Sequence, residues 1–394
     1  MQPLRILHVT PYFTDAWAYG GIPRLATSLA RGLARRGHHV TVCTTDARDA
    51  AGRLRCPPRQ RTPHGVEVCT FVNASNRLAY HLQLFLPLGL HTYLRRHASS
   101  FDVAHLHACR NIPGVIAAHH LRRRGVPYVL APNGTAPRIE RRRLAKLAFD
   151  VAVGRRVLER ASRVLAVSEA ERAQLDALRV PAARVRVIPN PVDLDEFADP
   201  PARGAFRARI GRPTGRLVLF LGKLTPRKRL DVVVRAFARL DRDAHLVIAG
   251  NDMGAEAATR SLVRQLHLDA RTTFVGLVEG RERLEALADA DVVVYPSEHE
   301  IFGLVPLEAL LAGTPVVVAG DSGCGEIVRR VGGGDVVPPG DVEALAGATR
   351  RMLDDSCTWR AAAAAAGPRI RESYGDGAVC AQMEALYADM VGRA

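Results

Sequence analysis

Residues 295–319 read YPSEHEIFGLVPLEALLAGTPVVVA, and this stretch decides the predicted fold. The β-branched run at residues 291–295 predicts a strand that enters it, and residues 315–319 predict a strand that leaves it. Between the strands, Pro306 in the first turn and Gly313 just past the end are typical of a short helix. A strand, a loop, a helix and a second strand in this order indicate one unit of a parallel α/β sheet.

Two carboxylates lie at the junction between the loop and this helix. Glu300 and Glu308 are separated by Phe302, Gly303 and Leu304 among other residues. Backbone N–H groups and the positive end of the helix dipole make such a junction an anion site, and Gly303 would let a ligand approach the main chain. Ionised carboxylates accept hydrogen bonds from vicinal diols, which suits the hydroxyls of a nucleotide sugar. A solvated acidic loop before an ordinary amphipathic helix is the alternative.

The stretch resembles the Glu-x7-Glu signature of retaining glycosyltransferases with the GT-B fold, in family four. Those proteins read roughly P-S-x-x-E-G-F-G-L-x-x-L-E-A-x-A-x-G-T-P-V-V, and here Ile301 replaces the Gly after the first Glu. The resemblance implies that Glu308 holds the donor ribose. It also implies that Glu300, with the backbone of residues 302–304, holds the transferred sugar and takes part in catalysis.

Two lysines follow the predicted strand at residues 217–222. Lys223 and Lys228 flank a turn, where cations would stabilise a departing pyrophosphate more strongly in the transition state than in the ground state. A solvated basic loop is the alternative from the residues alone. The segment resembles the family's G-R-L-x-x-x-K-G, with Lys223 where Arg is usual and Arg229 where Gly is usual. The resemblance implies that both lysines bind the donor and that Lys228 is catalytic.

The first residues predict a strand (5–10), a loop and a helix (22–36), with Gly20-Gly21 in the loop. This order places the glycines at the carboxyl edge of a parallel sheet, where ligands bind. A tight turn is the alternative. The pair resembles the family's Gly-Gly loop near the donor pyrophosphate, although Pro23 stands where the family often has Glu.

The predicted strand at residues 103–107 carries His105 and His107, which face the same way because they are two residues apart. A structural role is the alternative for either imidazole. The sequence DVAHLH resembles the family's D-x-x-H-x-H segment. The resemblance implies that His107, the second of the pair, contacts the transferred sugar and belongs to the catalytic group.

Strands alternate with helices along the whole chain, which predicts two Rossmann-like α/β domains. The resemblance to GT-B enzymes implies that the domains face one another across a cleft. We expect an acceptor-side domain at residues 1–195, a nucleotide-sugar-binding domain at 196–375, and a final helix (about 376–394) that crosses back to the first domain. Within the first domain we also expect an exposed loop at 46–65, a helix at 78–97 and a basic helix at 138–161.

The formal net charge of +15 is unevenly distributed. Residues 1–200 hold 30 Lys and Arg against 15 Asp and Glu, whereas residues 201–394 hold 25 of each. This asymmetry favours an acidic partner for the first half, such as a phospholipid surface or a pyrophosphate-linked acceptor. Residues 121–163 alone contain twelve basic and three acidic residues with apolar residues at helical spacing, which predicts docking on an anionic membrane. Solvated arginines over a packed apolar face are the alternative.

Seven scattered cysteines without a Cys-x-x-Cys pair favour neither a disulfide framework nor a zinc site. The start of the chain lacks a signal-peptide pattern, so we expect a cytoplasmic protein that can be peripheral on the cytoplasmic face of the membrane. Nothing in the sequence resembles a site for bound magnesium or manganese. We therefore expect no cofactor and no metal requirement, with the two lysines and a helix dipole in the metal's place.

The predicted activity is retaining transfer of a hexose-type sugar from a UDP- or GDP-sugar to a hydroxyl of a lipid-linked or polysaccharide acceptor. The resemblance implies retention of configuration, because the leaving phosphate takes the acceptor's proton on the same face of the sugar. A non-catalytic GT-B scaffold and a transferase for a soluble small acceptor are the alternatives. A dinucleotide oxidoreductase would need Gly-x-Gly-x-x-Gly after a strand, and the sequence has no such run. No groove-reading or base-stacking motif supports nucleic-acid binding.

Overall fold

The computed structural model describes residues 2–49, 52–137, 143–212 and 214–392. The chain divides into two units, one formed by residues 1–191 with 376–394 and the other by residues 192–375. Each unit contains a sheet of predominantly parallel strands flanked by helices. The predicted α/β class with two Rossmann-like units is confirmed.

The sheet of the first unit contains eight strands within the described ranges. They are β1 (Arg5–Val9), β2 (His39–Thr45), β3 (Arg59–Arg61), β4 (Glu67–Phe71), β5 (Val103–His107), β6 (Tyr128–Ala131), β7 (Arg163–Ala166) and β8 (Val185–Val187). Their spatial order is β3-β4-β2-β1-β5-β6-β7-β8, and every pairing is parallel except β3 with β4. The order reverses on either side of β1, so the carboxyl ends of β1 and β5 mark the point where ligands bind in such sheets.

Helices cover both faces of this sheet. They are α1 (Gly21–Arg35), α2 (Asn76–Leu82), α3 (Leu90–His97), α4 (Ile112–Arg123), α5 (Arg143–Phe149), α6 (Arg155–Glu159) and α7 (Glu169–Ala177). A π-helical turn, Asp150–Gly154, joins α5 to α6. Leu25, Leu29 and Leu33 of α1 pack on one face of the sheet, whereas α3, α4 and α6 contribute to the core on the other face.

Two predictions for this unit are wrong in detail. The helix expected at 78–97 is two helices, because Gln83 adopts a left-handed conformation that ends α2 and Gly89 (φ +89°) precedes α3. Pro87 lies between them and lacks a backbone N–H for a helical hydrogen bond. The loop expected at 46–65 includes the short strand β3, which pairs antiparallel with β4. The basic helix expected at 138–161 is helical over 143–159, and residues 138–142 lie outside the described residues.

The second unit has six parallel strands in the part of the chain that is described. They are β9 (Arg216–Leu221), β10 (Ala244–Ala249), β11 (Thr272–Gly276), β12 (Val292–Tyr295), β13 (Val316–Ala319) and β14 (Gly334–Val337), in the spatial order β11-β10-β9-β12-β13-β14. The strands β9, β12 and β13 are almost entirely buried, which explains their near-continuous Val and Leu runs. The order reverses between β9 and β12, so the loops that follow these two strands meet at one edge.

The helices of the second unit cover both faces of its sheet. They are α8 (Ala205–Arg209), α9 (Leu230–Phe237), α10 (Glu256–Gln265), α11 (Gly280–Asp289), α12 (Leu304–Leu311), α13 (Gly323–Val331), α14 (Val342–Asp354) and α15 (Ser356–Tyr374). Pro306 lies in the first turn of α12 and Gly313, with φ +76°, just beyond its end, as predicted.

The final helix, α16 (Asp376–Met390), belongs to the first unit and packs against α1. Glu384 accepts hydrogen bonds from Arg36 Nε at 2.7 Å and lies 3.2 Å from His38 Nε2. A Cβ at Gly32 of α1 would lie 2.4 Å from Cys380 Sγ, so the two helices approach closely because this position is glycine. The predicted crossing helix is therefore confirmed. Across the described ranges, none of the helices combines the length and apolar character that a membrane span needs.

Candidate functional site

The loop between β12 and α12 forms a turn that only glycine can make. Gly303 has φ +81°, and a Cβ there would lie 2.5 Å from Cys324 Sγ. No side chain of the described residues caps the N-terminus of α12, so its first-turn N–H groups face outward from the helix end. Such a helix start is suited to an anionic ligand group. Phe302 is buried against Tyr374, with ring centroids 5.8 Å apart, so its side chain supports the loop from within.

Glu300 and Lys228 form an ion pair at this edge of the sheet. Lys228 Nζ lies 2.5 Å from Glu300 Oε2, and their side chains are only 6% and 15% exposed. Lys228 ends a 3-10 turn (Pro226–Lys228) after β9, and Glu300 follows β12, so the strand order brings them together. The sequence-predicted residues Lys228 and Glu300 are thus direct neighbours. Lys223, which also follows β9, is half-buried.

Tyr295 and Ser297 complete this cluster. The Lys228 ammonium donates to Tyr295 Oη and lies 4.3 Å from the centre of its ring. Tyr295 Oη and Ser297 Oγ donate to Glu300 Oε2 at 3.3 and 3.1 Å. The sequence analysis did not single out either residue, although both belong to the quoted stretch and precede Glu300 by five and three positions.

The pKa values of the pair follow from burial and mutual attraction. Burial acts to raise the pKa of Glu300, but the positive charges of Lys228 and Arg227 outweigh it and lower that pKa to about 2. Burial lowers the pKa of Lys228, and Glu300 opposes that shift. The Glu300 carboxylate is therefore ionised at neutral pH and can accept hydrogen bonds from hydroxyl groups.

Glu308, on α12, belongs to a second buried cluster. Its side chain is 1% exposed, and its Oε2 accepts a hydrogen bond from Arg283 Nη1 at 2.5 Å. Arg283, on α11, also donates from Nη2 to Glu196 Oε2 at 2.6 Å. Sequence reasoning found Glu308 but missed Arg283, because an arginine on an amphipathic helix carries no local signal of its partner.

The predicted glycines of the first unit lie at the start of α1. Gly20 precedes the helix with φ +93° and ψ −140°, a conformation open essentially to glycine alone, and Gly21 is the first helical residue. Within the described residues no side chain caps this helix start. The geometry agrees with a loop that a ligand group can approach along its backbone.

His107 lies at the carboxyl end of β5 in a cluster of three buried histidines. Its Nε2 is 3.1 Å from Nδ1 of His8, a β1 residue that the sequence analysis did not single out. His105 Nδ1 lies 2.6 Å from the hydroxyl of Tyr387 on α16. Burial lowers the pKa of all three imidazoles, that of His107 to about 3, so the rings are neutral at physiological pH.

Neutral imidazoles are metal ligands, and one ring nitrogen from each of these three histidines lies within 4.8 Å of the other two. The rings of His8 and His105 are 16° from parallel, and those of His105 and His107 18°, with centroids 5.1 and 4.3 Å apart. In-plane lone pairs of stacked rings do not converge on a common tetrahedral centre. The stacking therefore fits a packed histidine ladder better than a metal site.

The basic helical segment of the first unit, residues 143–159, exposes apolar side chains. Leu144 is 82% exposed, Val151 73% and Leu147 41%, whereas Val157 is buried. Arg155 and Arg156 are exposed on the same segment. The segment therefore presents apolar residues and cations together to solvent.

Comparison with known proteins identifies the family. The profile described as glycosyltransferase family 4 matches residues 19–196, and the profile described as glycosyl transferases group 1 matches residues 203–369. A D-inositol 3-phosphate glycosyltransferase of Kineococcus radiotolerans is 32% identical over 391 residues, covering 91% of this chain and 88% of the relative. A protein of the same name from Xylanimonas cellulosilytica is 32% identical over 398 residues, covering 95% and 93%.

Solved structures have the same fold as this chain. A sucrose-phosphate synthase of Thermosynechococcus elongatus superposes with a TM-score of 0.78 at 24% identity, covering all of both chains. Anabaena HepE, solved in complex with UDP-glucose, superposes with a TM-score of 0.77 at 20% identity, covering 98% of this chain and 100% of HepE. The chain belongs to the group 1 glycosyltransferases, family four, and its two units are the two Rossmann-like domains of a GT-B glycosyltransferase.

Proposed function

We propose that the chain transfers a hexose-type sugar from a UDP-sugar to a hydroxyl of a phosphate-bearing acceptor, with retention of configuration. The observation that carries this proposal is the buried Lys228–Glu300 pair beside the start of α12. It provides a cation for a departing pyrophosphate and an ionised carboxylate for sugar hydroxyls within one cluster. The UDP complexes solved for Anabaena HepE support uridine over guanosine as the donor base.

The donor roles divide among the residues of the second unit. Lys228, with Lys223 after the same strand, neutralises the leaving pyrophosphate together with the N–H groups at the start of α12. Glu308 accepts hydrogen bonds from the ribose hydroxyls. Glu300 and the backbone of residues 302–304 hold the transferred sugar. These cations and N–H groups take the place of a metal, so the reaction needs no metal or other cofactor.

Two roles fall to the first unit. The Gly20-Gly21 backbone approaches the donor pyrophosphate, and His107, as a neutral imidazole, contacts the transferred sugar. As the bond from the anomeric carbon to the pyrophosphate oxygen breaks, the acceptor oxygen bonds to that carbon on the same face. The leaving phosphate oxygen takes the acceptor's proton, so configuration is retained.

Two classes of acceptor can offer a hydroxyl near a phosphate. A phosphorylated polyol is supported by the relatives named D-inositol 3-phosphate glycosyltransferase. A lipid-linked or polysaccharide glycan intermediate is supported by the positive charge of residues 1–200 and by the exposed Leu144 and Val151. For the lipid-linked case we propose peripheral docking of the segment 143–159 on an anionic membrane at its cytoplasmic face.

The test begins with isothermal titration of the purified chain against UDP-, GDP- and ADP-sugars. The donor that binds is then incubated in parallel with inositol phosphates and with extracted membrane lipids, and the anomeric configuration of any product is determined by NMR. We expect a UDP-sugar to bind and the product to keep the donor's configuration. An inverted product would overturn the retaining mechanism, and donor binding without turnover on either acceptor would favour the non-catalytic scaffold.

A further inference from the structure

One buried arginine connects two carboxylates in the second unit. Arg283 donates from Nη1 to Glu308 Oε2 at 2.5 Å and from Nη2 to Glu196 Oε2 at 2.6 Å. The Arg283 side chain is 8% exposed, Glu308 1% and Glu196 35%. The arginine and Glu308 are thus withdrawn from solvent, and Glu196 lies at the edge of the cluster.

Three separate elements supply these residues. Arg283 lies on α11, where Leu284 and Leu287 are also buried, and Glu308 lies on α12. Glu196 lies in a 3-10 turn, Asp195–Phe197, a few residues after the second unit begins at Val192. The cluster therefore depends on the tertiary packing of α11, α12 and the first residues of the unit.

Because the Glu308 carboxylate is buried, its neighbours must compensate its charge. An ionised carboxylate without a partner is very costly to bury, and it becomes protonated unless a cation compensates it. A guanidinium is always charged and its planar N–H groups also fix the orientation of the carboxylate that they approach. A carboxylate has about four lone-pair positions on its two oxygens, so an arginine N–H and ligand hydroxyls can share the same carboxylate.

We propose that Arg283 is a positioning residue for the nucleotide-sugar donor: it keeps Glu308 ionised and oriented, while Glu196 holds the opposite edge of the guanidinium. This inference rests on the proposed function, in which Glu308 receives the ribose hydroxyls. Arg283 itself makes no contact with substrate. Through Arg283, the first residues of the second unit influence the affinity for the donor.

The experiment measures donor KM and kcat for Arg283→Met, Arg283→Lys and Glu196→Gln. Arg281→Met is the matched control, because Arg281 lies on the same helix and pairs with Asp199 at 2.9 Å without reaching Glu308. We expect Arg283→Met to raise donor KM about 10- to 100-fold, the range for a lost charge-assisted hydrogen bond, with kcat at saturating donor within about threefold. Arg283→Lys should recover part of the loss, and Glu196→Gln should raise KM about threefold because the primary contact remains.

A double-variant cycle with Glu308→Gln separates positioning from general stabilisation. Once Glu308 is neutral, adding Arg283→Met should cost little further donor affinity. Additive effects, or a KM for Arg283→Met no higher than that of Arg281→Met, would overturn the inference. If Arg283→Met does not fold, unchanged KM values for Arg283→Lys and Glu196→Gln overturn it equally.

The same measurements distinguish a failure of the positioning role of Arg283 from a failure of the proposed donor site. If Glu308→Gln weakens donor binding and the Arg283 variants do not, the positioning role fails and the donor site stands. If Glu308→Gln leaves donor binding unchanged, the proposed ribose site fails, and the role of Arg283 fails with it.

Discussion

Lys228 Nζ and Glu300 Oε2 lie 2.5 Å apart, so the two charges proposed to act on the donor neutralise each other within the protein. Removing either partner would leave a buried charge without its main compensation. A pyrophosphate that binds the ammonium must share it with Glu300, and sugar hydroxyls can then donate to the carboxylate in exchange. In the proposed donor site, leaving-group binding and sugar binding are therefore coupled through one ion pair.

Replacing Lys228 should reduce turnover. We expect Lys228→Ala to lower kcat by about two to three powers of ten, because the cation stabilises charge that develops on the leaving pyrophosphate. Steady-state kinetics at saturating donor, with circular dichroism to check folding, is the measurement. Arg235→Ala is the control, since Arg235 is an exposed residue of the next helix, α9. Near-normal kcat in folded Lys228→Ala would contradict the assignment.

Replacing Glu308 should act on donor binding. We expect Glu308→Ala to weaken UDP-sugar binding about 10- to 100-fold, because the ribose hydroxyls lose an ionised acceptor. Titration calorimetry measures the change directly. Glu343→Ala is a suitable control, since Glu343 is an exposed residue of α14 that pairs with the surface Arg239. Equal donor affinities for the two variants would rule out the ribose role.

Chelation should leave the reaction intact. In the proposed donor site, Lys228 and the start of α12 supply the positive charge that a metal would otherwise bring to the pyrophosphate. We therefore expect the initial rate in excess EDTA to match the rate in added magnesium or manganese within about twofold, less than 0.5 kcal/mol of barrier. Activity that disappears in chelator and returns with manganese would show that the pyrophosphate site is misassigned.

The buried histidines should make the first unit sensitive to acid. Burial lowers the pKa of His8, His105 and His107 in the folded chain, whereas unfolded histidine titrates near 6.5. Below that pH the unfolded chain binds more protons, so the stability present above pH 6.5 is lost as pH falls. Each histidine adds a slope of about 1.4 kcal/mol per pH unit well below 6.5.

Urea unfolding of the whole protein at pH 8, 7, 6 and 5 measures this slope. His107→Asn should flatten it relative to the unsubstituted chain, and the exposed His64→Asn should not. A slope that His107→Asn leaves unchanged would mean that its imidazole accepts a proton in the folded state.

The sequence predicted the parts of the site that depend on local order. Lys228 and Glu300 follow strands that turned out to be neighbours, β9 and β12, and residues after such strands meet at the sheet edge whatever the intervening helices do. Gly303 was singled out in the sequence as a point of close approach to the main chain, and its positive φ is a second reason for glycine at this position.

Contacts made through tertiary packing were beyond prediction. His8 and His107 are 99 positions apart and Arg283 and Glu308 are 25 apart, and no periodicity indicates either pairing. The single helix predicted at 78–97 failed for a different reason. Its apolar spacing continues across Pro87 and Gly89, although these two residues interrupt helices.

The exposed apolar residues of the first unit lead to a prediction about membranes. Leu144 and Val151 lie in solvent on a segment that also exposes Arg156 and Arg160. Each basic residue near an anionic surface adds about 1 kcal/mol, and buried leucine or valine side chains add more, so weak and salt-sensitive docking is expected. Sedimentation with anionic and with neutral vesicles, at low and high salt, is the measurement.

Two variants separate the electrostatic from the apolar contribution. Arg156→Glu with Arg160→Glu should abolish the preference for anionic vesicles, because charge reversal repels the lipid headgroups. Leu144→Ser with Val151→Ser should weaken the binding that remains at high salt, whereas Leu277→Ser, an exposed leucine of the second unit, should have no effect. Equal and negligible binding of the unsubstituted chain to both kinds of vesicle would remove the membrane proposal and leave a soluble phosphorylated acceptor as the better interpretation.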